Sequence, residues 1–239
     1  MKEKVVFCWS GGKDSALALD RMLHDQRYQV VSLLTTCNRD FRRVSMHGVR
    51  IELLDAQATS IGLPLEKVFV ETHGTNESYE HAMEACLTEY RRHGVTACAF
   101  GDIFLEDLRQ WREANLARVG LRGLFPIWQG NTGTLVREFL AKGFSTIICC
   151  ANDAYLGADA VGRTLTEEYL AALPADVDPC GENGEFHSFA YAGPIFKQPI
   201  RFTVGETVYR PLPPGLIGTS PSTASRQTRG FWYCDLLPE

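Results

Sequence analysis

The sequence has no long apolar run and no surplus of positive charge. Its 239 residues carry 24 lysines and arginines against 29 aspartates and glutamates, which gives a formal net charge of −5. This balance argues against a protein that binds nucleic acid through a broad basic field. The apolar run Val5–Trp9 is too short to span a bilayer or to form the core of a signal peptide. We therefore expect a cytoplasmic protein without a membrane segment.

The eight cysteines lack the spacings of zinc or redox motifs, because no C-x-x-C pair occurs among them. We expect most of them to be reduced, buried thiols that pack as small hydrophobic groups. With 45% hydrophobic and 22% charged residues, the composition excludes an intrinsically disordered chain. The length fits one large domain that carries a small second lobe.

Short buried strands alternate with helices through the first two thirds of the chain. The run Val5–Trp9 indicates a strand, and helical spacing of apolar residues follows in Ser15–His24. Further strands are predicted at 29–36, 67–71, 95–100, 123–126 and 144–150, and helices at 49–61, 78–93, 106–119 and 132–141. The alternation predicts an α/β fold with a doubly wound, mainly parallel sheet. Ligands of such sheets bind at the carboxyl ends of the strands, beside a switch point.

The pattern changes after residue 150. Residues 164–173 have helical spacing, 187–195 and 199–208 alternate like antiparallel strands, and 219–229 form a polar stretch that we expect to be a mobile loop. The sequence therefore predicts two units. The first is a nucleotide-type α/β domain over residues 1–150, and the second is a smaller α+β lobe over residues 151–239.

The first strand is followed by a glycine-rich segment, here named the phosphate loop, which reads Ser10-Gly11-Gly12-Lys13-Asp14-Ser15. Adjacent glycines let the backbone approach an anion, and the start of a helix offers unpaired N–H groups and a positive dipole end. Lys13 adds a cation, the hydroxyls of Ser10 and Ser15 can donate to phosphate, and Asp14 is a candidate ligand of Mg²⁺. Because Asp14 follows the lysine, the segment is not a Walker A motif.

The string S-G-G-K-D-S after an apolar strand resembles the pyrophosphate loop of the N-type ATP pyrophosphatases, or PP-loop superfamily. The resemblance implies a sheet of the adenine nucleotide alpha hydrolase type, with ATP and Mg²⁺ as cofactors. It also implies that ATP is cleaved between its α- and β-phosphates. In this chemistry a substrate oxygen attacks the α-phosphate to form an adenylate, and a nucleophile, often ammonia, then displaces AMP.

A second string narrows the resemblance. The segment Cys180–Ser188, here named the acidic segment, reads C-G-E-N-G-E-F-H-S and is followed by A-G-P-I-F at Ala192–Phe196. These strings resemble the diphthine–ammonia ligase family, whose eukaryotic members we expect to carry extra carboxyl-terminal domains. The agreement extends over residues 4–205 and includes Met46-His47-Gly48, Ala56-Gln57-Ala58, Gly62-Leu63-Pro64, Gly101-Asp102-Ile103 and Pro126-Ile127-Trp128. It implies that ammonia amidates a carboxylate acceptor, either a small molecule or a protein.

Four residues are the candidates for catalysis: Lys13, Glu182, Asn183 and Glu185. A carboxylate can hold an ammonium ion or accept its proton, and an amide can orient an acyl adenylate. The candidate cofactor-binding residues are the phosphate loop and three residues at predicted strand or helix ends, namely Ser10, Gly11, Gly12, Lys13, Asp14, Ser15, Thr35, His47 and Asp102.

Several alternatives stay open at this point. The stretch Glu106–Glu113 resembles the bacterial branch of the family, which leaves a related amidation in cobalamin-precursor salvage open. Cys37 and Cys180 flank predicted site loops and leave tRNA-type sulfur transfer open, and a nucleotide sensor without turnover is the third alternative. Three arginines of one predicted helix either line a charged pocket or form a solvated face: Arg109, Arg112 and Arg118. The source of ammonia and the oligomeric state, a homo-oligomer included, also stay open.

Overall fold

The computed structural model describes residues 2–44, 47–71, 76–213 and 226–239. The helices are Lys13–His24 (α1), Ile51–Ile61 (α2), Asn76–Arg92 (α3), Glu106–Arg118 (α4), Thr132–Ala141 (α5) and Glu167–Ala171 (α6). The strands are Glu3–Cys8 (β1), Tyr28–Asn38 (β2), Arg43–Val44 (β3), Leu65–Val70 (β4), Ala97–Ala99 (β5), Arg122–Leu124 (β6), Ser145–Asn152 (β7), Phe186–Ala192 (β8), Phe202–Pro211 (β9) and Gly230–Pro238 (β10). In these ranges no helix is long and apolar enough to cross a membrane.

The first sheet places β4, β2, β1, β5 and β6 side by side, and each of these neighbouring pairs is parallel. The short strand β3 adds an antiparallel pairing at the end of β2. The predicted α/β fold with a mainly parallel, doubly wound sheet is confirmed. From β1 the chain builds β2 and β4 on one side and then β5 and β6 on the other, so the switch point lies between β1 and β5.

Helices cover both faces of this sheet because its central strand is apolar on both faces. Val5 and Phe7 of β1 pack in one hydrophobic cluster together with α1 and α2. Val6 points to the opposite face, where it packs in a second cluster with Leu87 of α3 and Leu116 of α4. Side chains alternate between the faces of a strand, so an unbroken apolar run such as β1 predicts burial on both sides.

The second sheet has the order β8, β7, β10, β9, and all of its neighbouring strands are antiparallel. The antiparallel strands predicted at 187–195 and 199–208 correspond to β8 and β9. The prediction that residues 144–150 form a strand of the parallel sheet is wrong, because Ser145–Asn152 pairs with β8 and β10. An apolar run shows that a strand is buried but not which sheet contains it. The division of the chain at residue 150 stays a prediction.

Strand β10 is missing from the sequence-based prediction, although it lies in the middle of the second sheet. Of the predicted loop at 219–229, residues 219–225 lie outside the described part of the chain. Asp235 in β10 accepts hydrogen bonds from two arginines, from Arg43 of β3 at 2.9 Å and from Arg50, which directly precedes α2, at 2.7 Å. The pKa of Asp235 is lowered to about 2, chiefly by its hydrogen bonds with Arg50. This ion pair ties the end of the chain to the region around β3 and α2.

Candidate active site

A cavity of about 950 Å³ lies at the carboxyl ends of β1, β2 and β5, next to the switch point between β1 and β5. The acidic segment, which precedes and enters β8, forms the facing wall. Most predicted site residues line the cavity: Ser10, Gly12, Lys13, Asp14, Ser15, Thr35, His47, Asp102, Glu182 and Asn183. Gly11 and Glu185 do not line it. Met46, which neighbours His47 in the sequence motif, lies outside the described residues.

The phosphate loop needs both of its glycines. Gly11 has a φ of +81°, and a Cβ there would lie 2.9 Å from the side-chain oxygen of Gln57. A Cβ on Gly12 would lie 3.0 Å from the carbonyl oxygen of Ser188 and 3.1 Å from the His47 ring. Gly12 is also the N-cap of α1, and no side chain caps this helix end. The backbone N–H of Lys13 donates to the hydroxyl of Ser188 at 3.3 Å, and the N–H groups that follow it in the first turn can donate hydrogen bonds to an anion.

The side chain of Gln57 holds the phosphate loop through hydrogen bonds, a role that the sequence does not predict. Its amide nitrogen donates to the carbonyl oxygens of Gly11 at 3.0 Å and Ala190 at 2.6 Å. Its side-chain oxygen accepts from the indole N–H of Trp9 at 2.9 Å. The Gly11 carbonyl accepts a second hydrogen bond, from the backbone N–H of Ala190 in β8. This fully buried amide thus joins the phosphate loop to the second sheet.

Lys13 joins the phosphate loop to the acidic segment. Its side chain is 4% exposed, and its ammonium donates to Asp14 at 2.8 Å and to the backbone carbonyl of Cys180. The ammonium also lies 5.2 Å from the centre of the Phe186 ring. Burial opposes the charge of Lys13, but Asp14, Cys180 and Glu182 together outweigh burial and hold the pKa of Lys13 above its ordinary value. The loop therefore presents a permanent cation.

Glu182 of the acidic segment is the ionisable carboxyl group of the facing wall. One of its oxygens accepts from the backbone N–H of Ile103 at 2.8 Å. Burial, followed by repulsion from Asp14, raises the pKa of Glu182 to about 7. A carboxyl group in this state can take up and release a proton near neutral pH, as a general base or acid must do.

Glu185 and Asn183 bind each other. Glu185 is 1% exposed and accepts hydrogen bonds from the backbone N–H groups of Asp178 and Asn183, both at 3.0 Å. It also accepts from the side-chain amide of Asn183 at 3.1 Å. Both oxygens of Glu185 are engaged in the turn that carries Glu182. This placement gives Glu185 the geometry of a positioning residue, not of a group that contacts ammonia.

Two histidines stack beside the phosphate loop. The rings of His47 and His187 lie 4.7 Å apart with an interplanar angle of 24°. Burial lowers the pKa of His47 to about 4, and burial followed by repulsion from His47 holds the pKa of His187 well below its usual value. The Nδ1 atom of His47 is buried and has no hydrogen-bond partner in the described part of the chain. The pair therefore adds two neutral rings to the wall, and His187 is absent from the sequence-based candidates.

Asp102 and Thr35 stand at strand ends, as expected. Thr35 is buried near the end of β2 and lines the cavity. Asp102 follows β5, but both of its oxygens accept from Arg112 of α4, at 2.6 Å and 3.2 Å. Asp102 is thus the partner of a buried arginine, which local sequence does not predict because ten residues separate them.

The two cysteines that leave sulfur transfer open do not meet in the cavity. Cys180 lines it, whereas Cys37 does not. Burial raises the pKa of the Cys37 thiol to about 11 and that of the Cys180 thiol further still. The Cys180 thiol donates to the carbonyl oxygen of Thr132 at 3.3 Å. Both groups are neutral thiols, which are poor nucleophiles.

No group of three or more histidine, cysteine, aspartate or glutamate side chains is arranged to hold a metal within the described ranges. Asp14 and Glu182 are nevertheless close enough that the charge of Asp14 raises the pKa of Glu182. Mg²⁺ commonly uses one or two carboxylates and completes its shell with phosphate oxygens and water. This donor set fits an ion that arrives with a nucleotide and not an ion held by the protein alone.

A parallel α/β sheet with a glycine-rich phosphate loop at its switch point defines a nucleotide-binding protein of the PP-loop class. Two family models match the chain, the diphthamide synthase N-terminal domain over residues 3–123 and the diphthamide synthase C-terminal domain over residues 131–211. The chain belongs to the diphthine–ammonia ligase family, and this membership makes it a ligase.

Curated relatives agree with this family. The chain is 28% identical over 229 residues to the diphthine–ammonia ligase of Rattus norvegicus, with 83% of this chain and 82% of the relative covered. It is 26% identical over 231 residues to that of Homo sapiens, with the same coverage. The Schizosaccharomyces pombe enzyme is 26% identical over 227 residues, but only 37% of its length is matched. The expectation of extra domains in eukaryotic members therefore fits the yeast relative and is wrong for the mammalian ones.

Among solved structures, the chain is distantly similar to one described as a predicted subunit of tRNA methyltransferase from Methanocaldococcus jannaschii DSM, with a TM-score of 0.37 and 14% identity. The match covers 64% of this chain and 80% of that chain. A similarity of this size carries no argument about function.

Proposed function

We propose that the chain is an ATP-dependent ligase that first adenylates a carboxylate and then amidates it with ammonia. The observation that carries the proposal is the contact between the phosphate loop and the acidic segment. Through this contact the buried ammonium of Lys13 and the carboxyl group of Glu182 face one cavity. The first group suits phosphate chemistry and the second suits proton transfer, so one cavity can serve both half-reactions.

In the first half-reaction, the N–H groups at the start of α1 and the ammonium of Lys13 bind the phosphates of ATP. A carboxylate oxygen of the acceptor attacks the α-phosphorus, the bond to the bridging oxygen of the β-phosphate breaks, and pyrophosphate leaves. Mg²⁺, when bound by Asp14 and the phosphates, supplies further neutralisation of their charge. Donors fixed before the reaction lower the barrier because they need not reorient as charge moves.

In the second half-reaction, Glu182 in its ionised form holds an ammonium ion and accepts one of its protons. The ammonia nitrogen then bonds to the acyl carbon and releases a second proton to the solvent, the bond between that carbon and the AMP oxygen breaks, and AMP leaves with the electron pair. Glu185 and Asn183 keep Glu182 in place through the hydrogen bonds of the turn. The pKa of about 7 lets Glu182 be ionised in an appreciable fraction of molecules at neutral pH.

The experiment that tests this proposal incubates the protein with ATP, Mg²⁺ and ¹⁵N-ammonium. The acceptors are a diphthine-bearing protein, as the names of the relatives suggest, and a panel of small carboxylates. We expect AMP, pyrophosphate and an acceptor that retains the ¹⁵N label after isolation. Release of ADP and orthophosphate, or AMP without label in any acceptor, would contradict the proposal.

A further inference from the structure

The cavity continues past the phosphate loop to a second end between α3 and α4. This end is lined by Tyr79 and Met83 of α3, by Phe100 after β5, and by Leu108 and Arg112 of α4. A smaller adjoining hollow of about 40 Å³ shares most of the same residues. Among these five residues the polar groups are the Tyr79 hydroxyl and the Arg112 guanidinium, and the other three side chains are apolar, which suits a substrate that carries one charged group.

Arg112 is the cationic side chain that lines the second end of the cavity. The acidic residues in the wall are Asp14, Asp102, Glu106, Asp107 and Glu182. Among the described lining residues, Lys13 and Arg112 are the lysine and arginine side chains, and burial keeps His47 and His187 neutral. Lys13 is engaged at the phosphate loop. A carboxylate substrate would be repelled by most of the wall, so its binding requires a second cationic contact.

Arg112 is held so that one edge of its guanidinium is occupied and the other is not. Its Nε and Nη2 atoms donate to Asp102, and its guanidinium lies 4.4 Å from the centre of the Phe100 ring. Its Nη1 group makes no hydrogen bond within the ranges that the structure describes. Burial opposes the charge, but Asp102, Cys8 and Tyr79 together outweigh burial and keep the pKa of Arg112 above its ordinary value. A fixed, planar guanidinium with free N–H groups is the preferred partner of a carboxylate.

We propose that Arg112 binds the carboxylate of the acceptor through the N–H groups that Asp102 leaves unused. This inference rests on the proposed function, in which a carboxylate is adenylated. Asp102 positions the guanidinium and Phe100 supports its plane. The carboxylate loses its negative charge when it becomes an acyl adenylate, so the contact is strongest with the free acceptor. The structure thus separates Arg112 from Arg109 and Arg118, which do not line the cavity.

The first test compares Arg112→Gln and Arg112→Lys with a matched control, Arg109→Gln. Arg109 lies one turn earlier on α4, pairs with Glu113 at 3.0 Å and is no part of the cavity wall. In ATP–pyrophosphate exchange with the diphthine-bearing protein as acceptor, we expect either Arg112 variant to raise the acceptor KM about 10- to 100-fold. The ATP KM should change less than about twofold, because the phosphates of ATP bind at Lys13 and the start of α1 and not at Arg112. An unchanged acceptor KM in both variants would overturn the inference.

Arg112→Gln leaves Asp102 without its cation, so its fold is checked by circular dichroism. Arg112→Lys keeps a positive charge beside Asp102 but cannot offer a second pair of parallel N–H groups. If Arg112→Gln does not fold, the Arg112→Lys variant and the double variant Asp102→Asn/Arg112→Gln carry the test. A wild-type KM in the double variant would overturn the inference as well.

A second readout does not need turnover. Acetate is titrated against chloride at constant ionic strength into protein saturated with α,β-methylene-ATP, and the melting temperature is recorded. We expect a saturable rise for the wild type and for Arg109→Gln, and none for Arg112→Lys. An equal rise in all three proteins, or none in the wild type, would overturn the inference. If acetate binding depends on Arg112 but no acceptor ever yields AMP, the carboxylate site stands and the proposed function fails.

Discussion

At the scale of single residues, two glutamates of one short segment have opposite environments. Glu182 lines the cavity and has a pKa of about 7, whereas Glu185 is buried under the turn with its oxygens engaged by Asp178 and Asn183. Both glutamates belong to the same short motif, so the sequence does not show which of them transfers protons. Only the hydrogen-bond partners of their side chains distinguish them. This difference yields two predictions that separate proton transfer from positioning.

The first prediction concerns pH. Glu182 must be ionised to accept a proton from ammonium. We therefore expect kcat/KM for ammonium to rise with pH through about 7, and the contribution of Glu182 to the profile to be constant above that pH. Glu182→Gln should remove that limb and lower kcat for amide formation about 100-fold. The measurement is a pH profile of AMP release at saturating ATP. If Glu182→Gln showed the same rise near pH 7 as the wild type, the titration would belong to another group.

The second prediction concerns Glu185→Ala. Loss of its carboxylate leaves the buried N–H groups of Asp178 and Asn183 without acceptors, which costs about 1–3 kcal/mol of unfolding free energy for an unsatisfied group. Urea denaturation measures this loss. Glu182→Ala serves as the matched comparison and should cost less unfolding free energy, because Glu182 accepts one backbone hydrogen bond, from Ile103, whereas Glu185 accepts two. Equal stability of both variants would show that Glu185 does not hold the turn.

At the scale of elements, the close approach of the β5–α4 connection to the start of α1 shapes the phosphate loop. A Cβ on Gly101 would lie 2.9 Å from the backbone nitrogen of Ser15 and 3.0 Å from its Cα. Both contacts are with backbone atoms, so the two elements must separate to accept a methyl group. The same approach carries Asp102 and Ile103 to Arg112 and Glu182.

The third prediction is that Gly101→Ala weakens ATP binding about tenfold or more, because one displaced ligand contact of roughly 1.4 kcal/mol changes an equilibrium constant by ten. Isothermal titration with α,β-methylene-ATP measures the affinity. Gly133→Ala is the control: Gly133 lies in the first turn of α5, and its added Cβ would contact only side-chain atoms at 3.3 Å or more. An unchanged affinity in Gly101→Ala would mean that the loop tolerates the displacement.

Strand β10 gives the fourth prediction. Its Asp235 has a pKa of about 2 against 3.8 in an ordinary aspartate, a difference of about 2 kcal/mol in unfolding free energy. Because the pKa is lowered in the folded protein, this stabilisation is present above pH 4 and is lost as the pH falls towards 2. Asp235→Asn should therefore unfold at lower urea concentration at pH 7, with a smaller difference from the wild type at pH 3. A constant difference across this range would argue that the charge is not responsible.

At the scale of the whole molecule, the sequence predicts what lies in continuous segments and misses what distant segments build together. The phosphate loop, α1 and the parallel strands follow from apolar runs and glycine placement near residues 5–24. The membership of β7 in the antiparallel sheet and the existence of β10 depend on pairing between strands about 80 residues apart. The Asp102–Arg112 pair depends on how α4 packs against the β5–α4 connection. The sequence of α4 is rich in charged residues and does not predict which of its arginines is buried.

The cavity therefore belongs to both sheets and not to the phosphate loop alone. Gln57 and Lys13 each connect the loop to the β8 region, one through the carbonyls of Gly11 and Ala190 and the other through the carbonyl of Cys180. A molecule in which the two sheets separate would lose the facing wall together with Glu182. The family models likewise match the two parts of the chain as separate segments, residues 3–123 and 131–211.

The central claim is that a carboxylate oxygen attacks the α-phosphorus of ATP. Its most direct measurement uses an acceptor whose carboxylate is labelled with ¹⁸O, supplied with ATP, Mg²⁺ and ammonium, followed by mass spectrometry of the nucleotide and phosphate products. Because ammonia breaks the bond between the acyl carbon and the transferred oxygen, the account predicts one ¹⁸O atom in AMP and none in pyrophosphate. Label in orthophosphate together with ADP, or AMP without label, would contradict it.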